Sequence, residues 1–138
     1  MNYVDKAKSI FLEGYNCAQS VAMALADTVN MSEAEMKAIA NPFGGGICRL
    51  RDTCGAVSGM LMILGLKHKE MSKLDMYTLG QKAIKEFEDE CGSYYCRDLI
   101  KASAEDNSPV PSKRTDAYYA KRPCLELVAI ATEIALKY

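Results

Sequence analysis

From Ala56 to Leu66 the chain runs eleven residues without a charge, and all but Ser58 are apolar or glycine. A helix apolar nearly all round is stable only when other elements surround it. At 1.5 Å per residue the run covers about half the hydrocarbon thickness of a bilayer, so it reads as a buried helix and not a membrane span. Thr53 stands where a cap for it belongs, which predicts a helix from Cys54 to about Leu64. Gly55 and Gly59 lie one turn apart on it and would let a second backbone come close. The run therefore predicts a bundle whose centre is the segment of about 54–66.

Everything around that run reads as helix. A first helix is expected over Tyr3 to Glu13, ending at Gly14, and Asn16 with Gln19 forms a capping box for a second that ends near Val29. Ser32 with Glu35 opens a third, which stops by Asn41 because Pro42 follows. Gly44, Gly45 and Gly46 make a flexible loop. Ser72 and Asp75 open a fifth helix to Cys91, with Tyr77, Ala83, Ile84 and Phe87 inward and Gly92 as its stop. Ser93 caps a short helix from Tyr94 to about Ala102, residues 105–115 form a Pro-containing loop, and Pro123 suits the first position of a last helix ending at Tyr138. No alternating strand pattern interrupts this. The fold class is all-α: a single domain over residues 1–138, a compact bundle of six or seven helices.

Composition narrows the function classes. Lys and Arg number 17 against 18 for Asp and Glu, and no basic stripe is interleaved with aromatics, so nucleic acid is not an expected partner. The N-terminal residues mix charges among apolar positions and lack the layout of a secretory signal, so a cytoplasmic protein without a membrane partner is expected. In a reducing compartment stable disulfides are rare, and six cysteines in 138 residues lean toward catalytic, redox or metal roles.

Their positions sharpen this. Cys17, Cys54, Cys96 and Cys124 each fall at the start of an expected helix, just after Asn16, Thr53, Ser93 and Pro123. Outward-pointing amides and the positive end of the helix dipole stabilise a thiolate there. Cys48 lies in the glycine loop and Cys91 at a helix C-terminus, where the dipole disfavours an anion; their roles are left open. Arg51, Arg97 and Arg122 stand near the cysteines in the chain and would help lower a thiol pKa, whereas Arg49 and Arg51 are equally readable as surface charge.

Asn16-Cys17-Ala18, the segment from Gly44 through Cys54-Gly55-Ala56-Val57-Ser58-Gly59 to Leu66, Gly92-Ser93 with Cys96-Arg97-Asp98-Leu99, and the late Cys124 together resemble the C_GCAxxG_C_C family of redox-active proteins. The resemblance runs from Cys17 to the last helix. It maps the family's signature cysteines onto Cys17, Cys54, Cys96 and Cys124, and implies redox activity without naming a substrate.

Three readings stay open. In the first, the four cysteines converge and cycle between thiols and disulfides or transfer electrons, which would make the chain a thiol–disulfide oxidoreductase with a redox partner protein or a small thiol as its counterpart. In the second, the same four are ligands to zinc or an iron–sulfur cluster, although the spacings match neither a zinc finger nor a ferredoxin run. In the third, the chain is a helical scaffold with inert core cysteines; a homodimer is open to it in every case. No Cys-x-x-Cys is present, which removes a thioredoxin-like site and covalent c-type haem attachment. His68, between Lys67 and Lys69, reads as surface, and the glycine loop lacks the Lys-Ser/Thr of a phosphate cradle.

Overall fold

The computed structural model describes residues 1–102 and 106–138 and is all helical apart from one isolated bridge. Helix α1 spans Tyr3–Leu12, α2 Cys17–Ala24, α3 Glu33–Ala40, α4 Gly55–Lys67, α5 Lys73–Cys91, α6 Cys96–Leu99, α7 Asp116–Lys121 and α8 Cys124–Lys137. The caps read from sequence are made: Asn16 and Gln19 close a capping box, and the Ser32 and Ser72 hydroxyls accept from the Glu35 and Asp75 amides. Two more caps stop or start elements that periodicity blurred. The second helix ends at Ala24 and continues to Val29 only as a 3-10 turn over Ala26–Val29, and Thr115 opens α7 inside what reads as plain loop. Glu105, the first residue of that expected loop, lies outside the described residues.

Helix α4 shares the centre of the bundle with α2 and α8. Ala18 to Ala24 of α2 are all buried, and α8 buries Leu127, Val128, Ala131, Ile134 and Ala135. On α4 the buried set includes Ala56, Val57, Met60, Ile63 and Leu64, while Leu61, Met62 and Leu66 are half-buried. Close packing of α2 on α4 depends on two missing side chains. A Cβ on Gly59 would stand 2.7 Å from the Ala18 carbonyl oxygen, and one on Gly55 would stand 2.9 Å from the Phe43 oxygen and 3.1 Å from the Ala18 nitrogen. Helices α1, α3 and α5 flank this centre. On α5, Ala83 and Phe87 face inward as expected and Ile84 is half-buried, but Tyr77 is exposed: the buried stripe follows Gly80, Ala83 and Phe87, a path that leaves Tyr77 outside.

The glycine segment forms a hydrogen-bonded turn with left-handed backbone. Gly45, Gly46, Ile47, Cys48 and Arg49 have successive positive φ values of 65°, 73°, 63°, 50° and 62°, and Arg51 repeats the pattern at 62°. Backbone bonds close over it, from the Cys48 amide to the Pro42 oxygen at 2.7 Å and from the Asp52 amide to the Gly46 oxygen at 2.8 Å. Left-handed backbone costs about 1–2 kcal/mol per non-glycine residue, so the surroundings must hold it in place. Its consequence is directional: it turns the Arg51 side chain into the protein, where the residue is only 4% exposed.

Candidate functional site

All four cysteines at helix starts line one small cavity of about 50 Å3, together with residues from the glycine turn, α6 and the segment that carries α7. Local structure places each sulfur. Cys17 follows the Asn16 capping box as the first residue of α2, and Cys124 is the first residue of α8, with Pro123 in the cap position and not inside the helix. Cys54 is the N-cap of α4 rather than part of its first turn, and Thr53 does not cap. The reason is the bridge: Thr53 pairs antiparallel with Tyr95, the Cys54 amide donates to the Tyr94 oxygen at 2.8 Å, and the Cys96 amide donates to the Asp52 oxygen at 2.7 Å. That bridge ties the start of α4 to the start of α6. It also delays α6, expected from Tyr94, until Cys96, and the helix is a single turn ending at Leu99. Ser93 still serves there, accepting from the Tyr95 amide at 3.0 Å. Gly46 lies against Cys96, and any Cβ there would stand 2.6 Å from the Cys96 Cβ.

Electrostatics divide the four. Cys17 and Cys124 line the cavity together, and the neighbouring Cys17 thiol is the largest influence holding Cys124 down to about 7 from an ordinary 9.0; burial opposes it, and Arg122, Arg114 and Arg51 assist. The same neighbour and burial push Cys17 well up. Burial pushes Cys54 to about 12 against the Ala56 and Val57 amides that would stabilise its thiolate. Cys96 is also pushed up by burial, partly countered by Arg51, whose Nη1 lies 3.8 Å from the Cys96 sulfur. Helix starts alone therefore do not make these thiols acidic. A dipole at a helix end contributes about 0.3–1 kcal/mol when exposed, and desolvation of a buried thiolate exceeds that.

The cationic side chains are held in place. Arg51 donates from Nε to the Asp106 backbone oxygen at 2.9 Å and from Nη2 to its carboxylate at 3.3 Å, so its buried charge is paired. Arg122 shares that carboxylate at 3.6 Å and stacks over the Tyr118 ring. Arg49 joins the same carboxylate but lies outside the cavity, and also donates to the Ser108 carbonyl oxygen. Arg114 donates to the Phe11 and Tyr15 carbonyl oxygens at 2.9 and 2.8 Å and lies over the Phe11 ring.

Of the arginines read from sequence, Arg51 and Arg122 reach the cavity. Arg97 does not: it is exposed and lies over the Tyr95 ring. Arg114 and Tyr118 line the cavity and were invisible to spacing arguments, since they reach it from a segment far along the chain from Cys17 and Cys54. Only the Thr115 cap signal beside them was there to be read. Cys48 is exposed, and Cys91 lines a separate shallow groove with Gly92 and Ser93. Burial lifts the Cys91 thiol to about 11. His68 is half-buried at the end of α4, its Nε2 2.9 Å from the Tyr138 oxygen, and takes no part in the site. Among the described residues no three His, Cys, Asp or Glu side chains are grouped to hold a metal ion. No helix of the described residues is long and apolar enough to cross a membrane.

Comparison with known proteins agrees with this emphasis on cysteine. A protein of Archaeoglobus fulgidus, itself described only as uncharacterized, is 29% identical over 153 aligned positions, covering 99% of this chain and 95% of that protein. No solved structure matches. The family described as "Putative redox-active protein (C_GCAxxG_C_C)" matches residues 15–138, all four cavity cysteines included. The chain belongs to the C_GCAxxG_C_C family of redox-active proteins.

Proposed function

We propose that the chain is a thiol-based redox protein in which Cys124 attacks and Cys17 resolves. The observation that carries this reading is that Cys17 and Cys124 line one small cavity together with Arg51, Arg114 and Arg122. One sulfur of the pair is poised as a thiolate at neutral pH, and the other holds the proton that a departing thiolate needs. Toward a disulfide R–S–S–R′ the Cys124 thiolate bonds one sulfur and expels R′S−. The Cys17 proton passes to the departing sulfur, and the Cys17 sulfur then bonds Cys124 and expels RS−. The products are two reduced thiols, one of them as its thiolate, and a Cys17–Cys124 disulfide, which a redox partner protein or a small thiol returns to the dithiol. Cys54 and Cys96, protonated in the same cavity, are the second pair open to exchange with the first. A reducing, cytoplasmic setting suits a site that works from its thiol form.

The test is oxidation of the reduced protein with diamide, followed by peptide mapping. A Cys17–Cys124 disulfide is expected, absent from Cys17→Ser and Cys124→Ser. Unchanged thiols, or iron or zinc bound in stoichiometric amount with the cysteines blocked, would overturn it.

A further inference from the structure

The cysteine cavity is small, cationic and soft, and that combination selects what can enter. A single water-sized centre fills about 10–15 Å3 of such space. A volume of about 50 Å3 therefore takes only a few heavy atoms. A peptide or a glutathione-sized disulfide does not fit inside it whole and must bring its sulfur in from outside.

Charge narrows the choice further. Arg51, Arg114 and Arg122 line the cavity, and among the described residues no carboxylate does. Asp106, shared by Arg51, Arg122 and the outlying Arg49, offsets at most one of the three guanidinium charges. A Cys124 thiolate offsets a second. One positive charge is left for a guest, and a small anion balances it. The rest of the wall is the four sulfurs, apolar and aromatic side chains such as Phe11, Tyr118 and Leu127, and Asn16 with three glycines. The guanidinium groups would hold any small anion, but only one with a sulfur–sulfur bond can exchange with the two thiols, and a polarisable sulfur anion suits the sulfur and aromatic neighbours.

We propose that the substrate of this site is a short anionic sulfane-sulfur compound, a hydrogen disulfide ion or a similarly small polysulfide, which Cys124 and Cys17 reduce to sulfide. The inference rests on the dithiol reading above and adds the substrate class. The Cys124 thiolate bonds one sulfur of HS–S−, the S–S bond breaks, and HS− leaves with the proton, giving the persulfide Cys124–S–S−. The Cys17 sulfur then bonds the Cys124 Sγ while its proton goes to the outer persulfide sulfur, which leaves as a second HS−. The two cysteine sulfurs supply both electrons and end as a disulfide.

The experiment mixes reduced, anaerobic protein with sodium disulfide, with hydrogen peroxide as a small neutral oxidant, and with glutathione disulfide as a large one. Sulfide release and thiol loss are followed. About two sulfide ions per Cys17–Cys124 disulfide are expected, with glutathione disulfide the slowest. Arg122→Gln should lower the ratio of the disulfide-ion rate to the peroxide rate about tenfold, the effect of one charge a few ångströms away, and Arg122→Lys should restore most of it. Added salt should depress the same ratio in the unmodified protein, a readout that does not depend on the variant folding. A ratio indifferent to both salt and Arg122, or glutathione disulfide reacting fastest, overturns the substrate inference. If diamide forms the Cys17–Cys124 disulfide while disulfide ion yields no sulfide, the substrate inference alone fails; if no oxidant forms it, the dithiol reading fails first.

Discussion

The start of α8 and the start of α4 make a natural pair. Each carries a buried cysteine, Cys124 at 6% and Cys54 at 4% exposure, at or beside the first turn of a long apolar helix, and both line the same cavity. Yet one thiol is held to about 7 and the other pushed to about 12. The helix end is common to both, so it cannot be the cause of the difference. What differs is the company. Cys124 has the Cys17 thiol and three arginines beside it, while Cys54 has only the Ala56 and Val57 amides against its burial. A helix N-terminus prepares a site for a thiolate; a donor and nearby cations decide whether the thiolate forms.

That contrast predicts a pH profile of stability, the largest expected effect. The folded pKa of Cys124 lies below its ordinary 9.0, so its contribution is full above about 9 and is lost as pH falls through about 7. Cys54 is raised, so its contribution is full below 9.0 and is lost as pH climbs toward 12. Cys124 should therefore contribute about 2 kcal/mol more at pH 9 than at pH 7, a gain that the raised thiols of Cys17, Cys54, Cys91 and Cys96 increasingly offset as pH nears and passes 9. Denaturant melts across pH would show the rising limb, and Cys124→Ser should flatten it while leaving the fall above pH 9.

Reactivity comes next. At pH 7 a thiol with its pKa there is about half ionised, against about 1% for one at 9, but nucleophilicity falls with pKa, so Cys124 should alkylate at least several-fold faster than Cys54, which is equally buried in the same cavity. Iodoacetamide kinetics with peptide mapping would measure it, and labelling led by Cys54 would break the comparison outright. A smaller effect isolates the donor. Cys17→Ala should raise the Cys124 pKa by about one unit, whereas Cys17→Ser, which keeps a donor, should raise it less. Thiolate absorbance against pH reads both. The smallest effect is a control: Cys48→Ser, at an exposed position outside the cavity, should leave the Cys124 titration unchanged within error.

How far the site could be read in advance follows from what kind of information each feature carries. Asn16 with Gln19, Ser32 and Ser72 act within one turn, so their helix starts are legible from neighbours alone. Thr53 looked like the same signal and was not, because its backbone is committed to Tyr95 across the bridge. Arg97 looked as well placed as Arg122, and only packing separates a side chain lying over the Tyr95 ring from one that shares the Asp106 carboxylate. Arg114 and Tyr118 stand only 10 and 6 residues before Cys124, but no motif tied them to it, and Cys17 lies about a hundred residues away.

By itself the sequence determined that this chain is helical, that the Ala56–Leu66 run is inside it, and that four cysteines stand at helix starts. Those properties rest on periodicity, capping and hydropathy, which act over a few residues. Tertiary structure alone decided that the four sulfurs share a cavity, that Cys17 is the neighbour of Cys124, and that Arg51, Arg114 and Arg122 are the cations beside them. A thiol's acidity is a balance of desolvation against donors and charges within a few ångströms. Neighbours in space set that balance, and in this molecule most of them are far apart along the chain.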